Sequence, residues 1–116
     1  MSKIKFKLTG AQYATITALI RDTDVNMIHQ QVTSLINDLM MEILEATFKR
    51  SLILDLKSSL SLSSAQARAF MMYFSYVELL DAYEQNLIRT MINHIHQELA
   101  NNNKKLTSNR YKTIEK

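Results

Sequence analysis

From Ser64 to Asn101 the chain runs without glycine or proline, and its apolar residues recur at helical spacing. At about 100° per residue, Phe70, Phe74, Val77, Leu80, Leu87, Ile88, Met91, Ile92, Ile95 and Leu99 fall on one broad arc, which predicts a single helix over 64–101. Such a helix would extend about 55 Å, whereas a compact chain of this length measures about 35 Å across. Between Met71 and Tyr83 the apolar side chains cover most of the circumference, and a helix that is apolar all round is enclosed on several sides. A neighbouring subunit is therefore expected against Phe70, Tyr73, Phe74, Tyr76, Val77, Leu80, Tyr83, Leu87 and Met91.

The preceding chain supplies the rest of the expected bundle. KIKFKL alternates with period two, so residues 1–8 read as an extended basic arm with Ile4, Phe6 and Leu8 on one side. Its partner is expected to be the segment Tyr111 to Ile114, a second copy, or the helices themselves. Thr9 with Gln12 three residues on has the form of a capping box, opening a first helix over 10–21 that buries Tyr13, Ile16, Leu19 and Ile20. After Asp22-Thr23-Asp24, a second helix is expected over 25–56, with Ile28, Val32, Leu35, Ile36, Leu39, Met40, Ile43 and Leu44 on its apolar side. Its opposite stripe holds Asp38, Glu42, Glu45 and Lys49, and the pattern blurs past Lys49. The serine-rich residues 58–64 read as a turn, since serine competes for backbone hydrogen bonds. Ser63 with Gln66 repeats the capping device at the start of the last helix.

These elements make one domain over 1–101, followed by a basic polar tail over 102–116. The expected class is all-α: a short N-terminal arm and helix, then a long antiparallel helical hairpin that dimerises into a helical bundle. A single glycine and no proline favour long helices over a β-rich fold.

Charge changes this picture at the ends. The net charge of +3 is unevenly spread. Lys3, Lys5 and Lys7 lie at one end, and Lys104, Lys105, Arg110, Lys112 and Lys116 at the other, with an acidic middle between them. The arm lysines, together with Lys104, Lys105, Arg110 and Lys112, are candidate contacts for nucleic-acid phosphates. The N-terminus lacks the continuous apolar block of a secretory signal and no run is long enough to span a bilayer, so a cytoplasmic protein without membrane contact is expected.

Candidate chemistry is sparse. The chain has no cysteine, which excludes disulfides, thiolate nucleophiles and cysteine-based metal sites. One glycine leaves no phosphate-cradling loop, and no serine sits in a nucleophile elbow. His94 and Glu98 share a helical face, but no Glu-x-x-His spacing occurs, so no metal or cofactor is expected. Asp81 and Glu84 interrupt the apolar seam of the last helix and are candidates for buried polar groups that set helix register, Glu84 reaching toward Lys49, Arg50 or Arg89. The expected function is a non-enzymatic protein-protein interaction module, most simply a homodimeric adaptor, scaffold or regulator. The alternative is a dimeric nucleic-acid binder gripping phosphates through its basic ends.

Overall fold

The computed structural model describes residues 3–22, 34–79 and 81–114, with residues 103–114 as backbone only. The described elements run β1 (Ile4–Thr9), α1 (Gly10–Asp22), α2 (Ser34–Arg50), β2 (Lys57–Leu62), α3 (Ser64–Ser75) and α4 (Ala82–Ile114). The fold is therefore mostly helical but not all-α, because β1 and β2 form a two-stranded antiparallel sheet. No long helical hairpin is present among the described residues, so the unit from which the expected bundle would be built is absent there.

The strand partner comes from the stretch read as a turn. Lys57-Ser58-Ser59-Leu60-Ser61-Leu62 also alternates with period two, and its register pairs Ile4 with Leu62, Phe6 with Leu60 and Leu8 with Ser58. Ile4, Phe6, Leu60 and Leu62 are buried, while Lys5, Lys7, Ser59 and Ser61 are exposed. The preference of serine for turns is outweighed by the burial of the alternate leucines Leu60 and Leu62 against a second strand.

Both capping boxes form. The Thr9 N–H donates to Gln12 Oε1 at 2.9 Å, and the Gln12 N–H returns to Thr9 Oγ1 at 3.2 Å. Ser63 and Gln66 make the same exchange at 2.9 and 3.1 Å. These boxes open α1 and α3; α1 buries Tyr13, Ile16, Thr17 and Ile20, and α2 buries Ile36, Met40, Ile43 and Thr47. Helices α1 and α2 pack together, with the Thr17 and Thr47 hydroxyls 2.9 Å apart in the core and the Arg21 guanidinium 5.6 Å from the centre of the Phe48 ring.

The helix expected over 64–101 is two helices. Tyr76 ends α3 with its N–H on the Tyr73 carbonyl at 3.2 Å. Asp81 starts α4 by accepting from the Tyr83 N–H at 2.7 Å and the Glu84 N–H at 3.3 Å. The break lets α4 return to the core and pack on β1, placing Leu87, Ile88, Met91 and Ile95 in the same cluster as Ile4, Phe6, Phe70 and Phe74. Its backbone stays helical through Ile114, past the point where the tail was expected to begin. Leu80 and residues 25–33 of the expected second helix lie outside the described residues.

Between α2 and β2 the chain makes a tight turn whose position is set by Gly10. The Gly10 N–H donates to the Leu56 carbonyl at 2.9 Å and the Ala11 N–H to the Leu54 carbonyl at 3.0 Å, so the turn accepts hydrogen bonds at the start of α1. A Cβ on Gly10 would collide with the Ile53 carbonyl oxygen and would lie 2.6 Å from its carbon. Glycine is needed here for close backbone approach. The turn holds Leu52, Ile53, Leu54 and Leu56 outward, more than half exposed.

Candidate binding groove on the open edge of the sheet

The hydrogen-bonding parity of β1 follows from its register. Gly10 and Leu56 continue the Ile4–Leu62 ladder, and the Gly10 N–H donates to Leu56 O, so even-numbered residues of β1 bond to β2. The N–H and C=O groups of Lys5, Lys7 and Thr9 then point away from β2, along the outer edge. Three side-chain contacts agree with this parity. His94 Nε2 lies 2.9 Å from the Lys5 carbonyl, Gln12 Oε1 accepts from the Thr9 N–H, and on the opposite edge Arg50 Nε donates to the Ser59 carbonyl at 2.8 Å.

What remains of the β1 edge is open. The Lys5 N–H, the Lys7 N–H and the Lys7 C=O have no hydrogen-bond partner among the described residues. His94 occupies the Lys5 C=O and Gln12 the Thr9 N–H, so the Lys7 N–H and C=O form an open run bounded at both ends, with the Lys5 N–H open on the far side of His94.

A groove of about 490 Å³ lies along that edge. One wall is Lys5, Phe6, Lys7, Leu8 and Gln12, and the other is a single face of α4, with Tyr83, Asn86, Leu87, Thr90, Met91 and His94 at successive turns. Leu87, Met91 and Phe6 are buried at its base, and Tyr83, Asn86 and Thr90 are exposed along its rim. The His94 ring meets Phe6 edge-on at 5.1 Å, which fixes the imidazole against the strand. A carbonyl can only accept, so His94 Nε2 carries the hydrogen of that contact.

The electrostatics of the groove are one-sided. Among the described residues no carboxylate lines it. Lys3, Lys5 and Lys7 are exposed and form no ion pair among the described residues, whose one ion pair is Lys49 with Glu45 at 3.4 Å. The lining holds no pair of a nucleophile and a base, and the described residues contain no cluster of three metal-ligating side chains.

The residues singled out in the sequence fall in different places. Phe70, Tyr73, Phe74, Leu87 and Met91, expected at an oligomer interface, are buried within one chain. The Phe70 and Phe74 rings lie 4.7 Å apart, tilted by 51°, Phe74 meets Tyr73 edge-on at 5.3 Å, and the Tyr73 hydroxyl donates to the Ile20 carbonyl at 3.2 Å. Shielding for α3 comes from the same chain: α2, β2 and α4 pack on it, and the Tyr73 hydroxyl reaches α1. Of the remainder, Val77 is half-buried, while Tyr76 and Tyr83 are 43% and 51% exposed and only Tyr83 lines the groove.

Asp81 is an exposed helix cap, and Glu84 is half-buried in the first turn of α4, where a carboxylate is favoured by the helix dipole. Neither lies in a buried seam, and Glu84 makes no ion pair with Lys49, Arg50 or Arg89. The spacing Asp81-x-x-Glu84 was the available signal for a helix start. Lys104, Lys105, Arg110 and Lys112 lie in the last turns of α4, beyond the described side chains. Asn86, Thr90 and His94 were not identified as groove residues from sequence. Their common face with Leu87 and Met91 was visible, but the strand that it meets was not.

Among the described residues no helix is long and apolar enough to cross a membrane. Comparison with protein-family models, curated proteins and solved structures finds no match to this chain.

Proposed function

We propose that the protein is a non-enzymatic interaction module that receives an extended segment of a partner protein as a third strand on β1. The observation that carries this reading is the short open edge, the Lys7 N–H and C=O between the His94 and Gln12 contacts together with the Lys5 N–H, set beside a groove with an apolar base. An added strand satisfies these backbone groups while its alternate side chains enter the groove, which is the division of labour in strand-addition recognition. An unpaired edge that is short and bounded at both ends favours selective capture over indefinite sheet growth. In the same reading the protein acts in the cytoplasm, a setting with which a cysteine-free sequence is compatible.

Lys7→Pro tests the reading. It deletes an outward N–H and leaves the β1–β2 ladder intact, because Lys7 does not bond to β2. Peptides selected from a random displayed library by the wild-type protein are expected to lose binding to a folded Lys7→Pro variant and to weaken with Tyr83→Ala. A library that yields no binder, or binders indifferent to both substitutions, refutes it.

A further inference from the structure

Resting on the strand-addition reading, we infer that the captured segment is acidic, alternating apolar residues with aspartate or glutamate. The strand parity that leaves the edge open also sorts the side chains. In β1 the odd residues point their backbone groups outward along the edge and their side chains to the solvent face, where Lys3, Lys5 and Lys7 stand exposed. A third strand about 4.8 Å away places its own alternate side chains on that same face, beside the lysines. Its other side chains lie on the core side, over Leu87 and Met91. Opposite charges are favoured across adjacent strands and like charges are disfavoured, so the segment is apolar toward α4 and anionic toward solvent.

The same charges disfavour a second copy as occupant. Pairing β1 with β1 of another molecule sets lysines against lysines along both strands. The absence of any carboxylate among the described residues of the groove lining leaves the lysines available to a partner, and the apolar base gives a peptide backbone with alternating side chains an advantage over a polyanion that lacks them.

The experiment is a fluorescence-anisotropy titration of the full chain with eight-residue peptides alternating valine with glutamate, glutamine or lysine, with amide hydrogen exchange read at Lys5 and Lys7. The glutamate peptide is expected to bind, to protect both amides, and to weaken as salt rises. Joint Lys5→Glu and Lys7→Glu replacement is expected to weaken it about tenfold, with the lysine peptide then binding better than the glutamate one. Equal binding of the glutamine peptide overturns the acidic preference while leaving strand addition in place. Failure of all three peptides overturns both. A free protein that is dimeric with these amides already protected assigns the edge to a second copy. Binding of a single-stranded oligonucleotide that displaces the glutamate peptide without protecting the amides assigns the lysines to nucleic acid. Either of the last two results overturns the inference.

Discussion

Gly10→Ala separates local helix preference from tertiary contact because the two predict opposite signs. Gly10 is the first residue of α1 and has no positive φ, so the backbone conformation itself admits alanine. On propensity and unfolded-state entropy alone, the replacement would stabilise by about 0.4–1 kcal/mol. The added methyl, however, meets backbone atoms of Ile53 and Leu54 and not the end of a flexible side chain, with the Leu54 Cα at 2.9 Å. Relief requires the turn to move from α1, which weakens the Gly10 to Leu56 and Ala11 to Leu54 hydrogen bonds. Overpacking of this kind costs about 1–3 kcal/mol, and each weakened backbone bond adds up to about 1 kcal/mol. The expected net effect is destabilisation by about 2–4 kcal/mol, measured as a lower urea midpoint at unchanged slope in equilibrium unfolding. An Ala11→Gly control should lose no more than about 1 kcal/mol. A Gly10→Ala protein as stable as wild type would refute the close approach of the turn to α1.

The other predictions address single contacts. The Tyr13 hydroxyl, which donates to the Ser58 carbonyl at 2.8 Å, is raised from its ordinary pKa by burial, a shift opposed by the Arg50 charge and by hydrogen bonding to the Ser58 side chain and the Leu8 backbone. A raised value in the folded state means that the unfolded chain ionises first, so this group contributes stability that is complete below about pH 10 and is lost as pH rises above it. Tyr13→Phe should cost about 1 kcal/mol at neutral pH and reduce the alkaline decline, read from urea unfolding across pH; an identical decline in both proteins contradicts the assignment. Asp81→Ala should cost about 1 kcal/mol while Asp81→Asn is nearly neutral, because either side-chain oxygen can cap α4; equal losses would restore a charged structural role. Thr47→Val should lose about 1 kcal/mol through the Thr17 contact, leaving the Thr17 hydroxyl on the Tyr13 carbonyl at 2.9 Å, and an unchanged thermal midpoint would argue against that buried pair.

What could be read from the chain follows the range of the interaction. Thr9 with Gln12 and Ser63 with Gln66 are exchanges across three residues, so sequence alone determines where α1 and α3 begin. The period of α1 and α2 also places Tyr13, Ile16, Ile20, Ile36, Met40 and Ile43 on buried faces, whereas Leu35 on the same expected arc is exposed and Thr17 and Thr47 are buried by tertiary packing. The break at 76–81 was masked by apolar residues on either side and by the absence of glycine and proline, although Asp81-x-x-Glu84 carried a cap signal.

Only tertiary structure paired KIKFKL with KSSLSL, because a strand's alternation identifies its buried face without identifying its mate. Only tertiary structure gathers Phe70, Tyr73 and Phe74 into one cluster with residues of α1, α2 and α4, covering within the chain part of the surface expected at a subunit interface and leaving Tyr76 and Tyr83 43% and 51% exposed. The groove depends on it most closely. Lysines at 3, 5 and 7 are properties of the chain, but whether their backbone groups face β2 or open space is set by register, and a shift by one residue would reverse it.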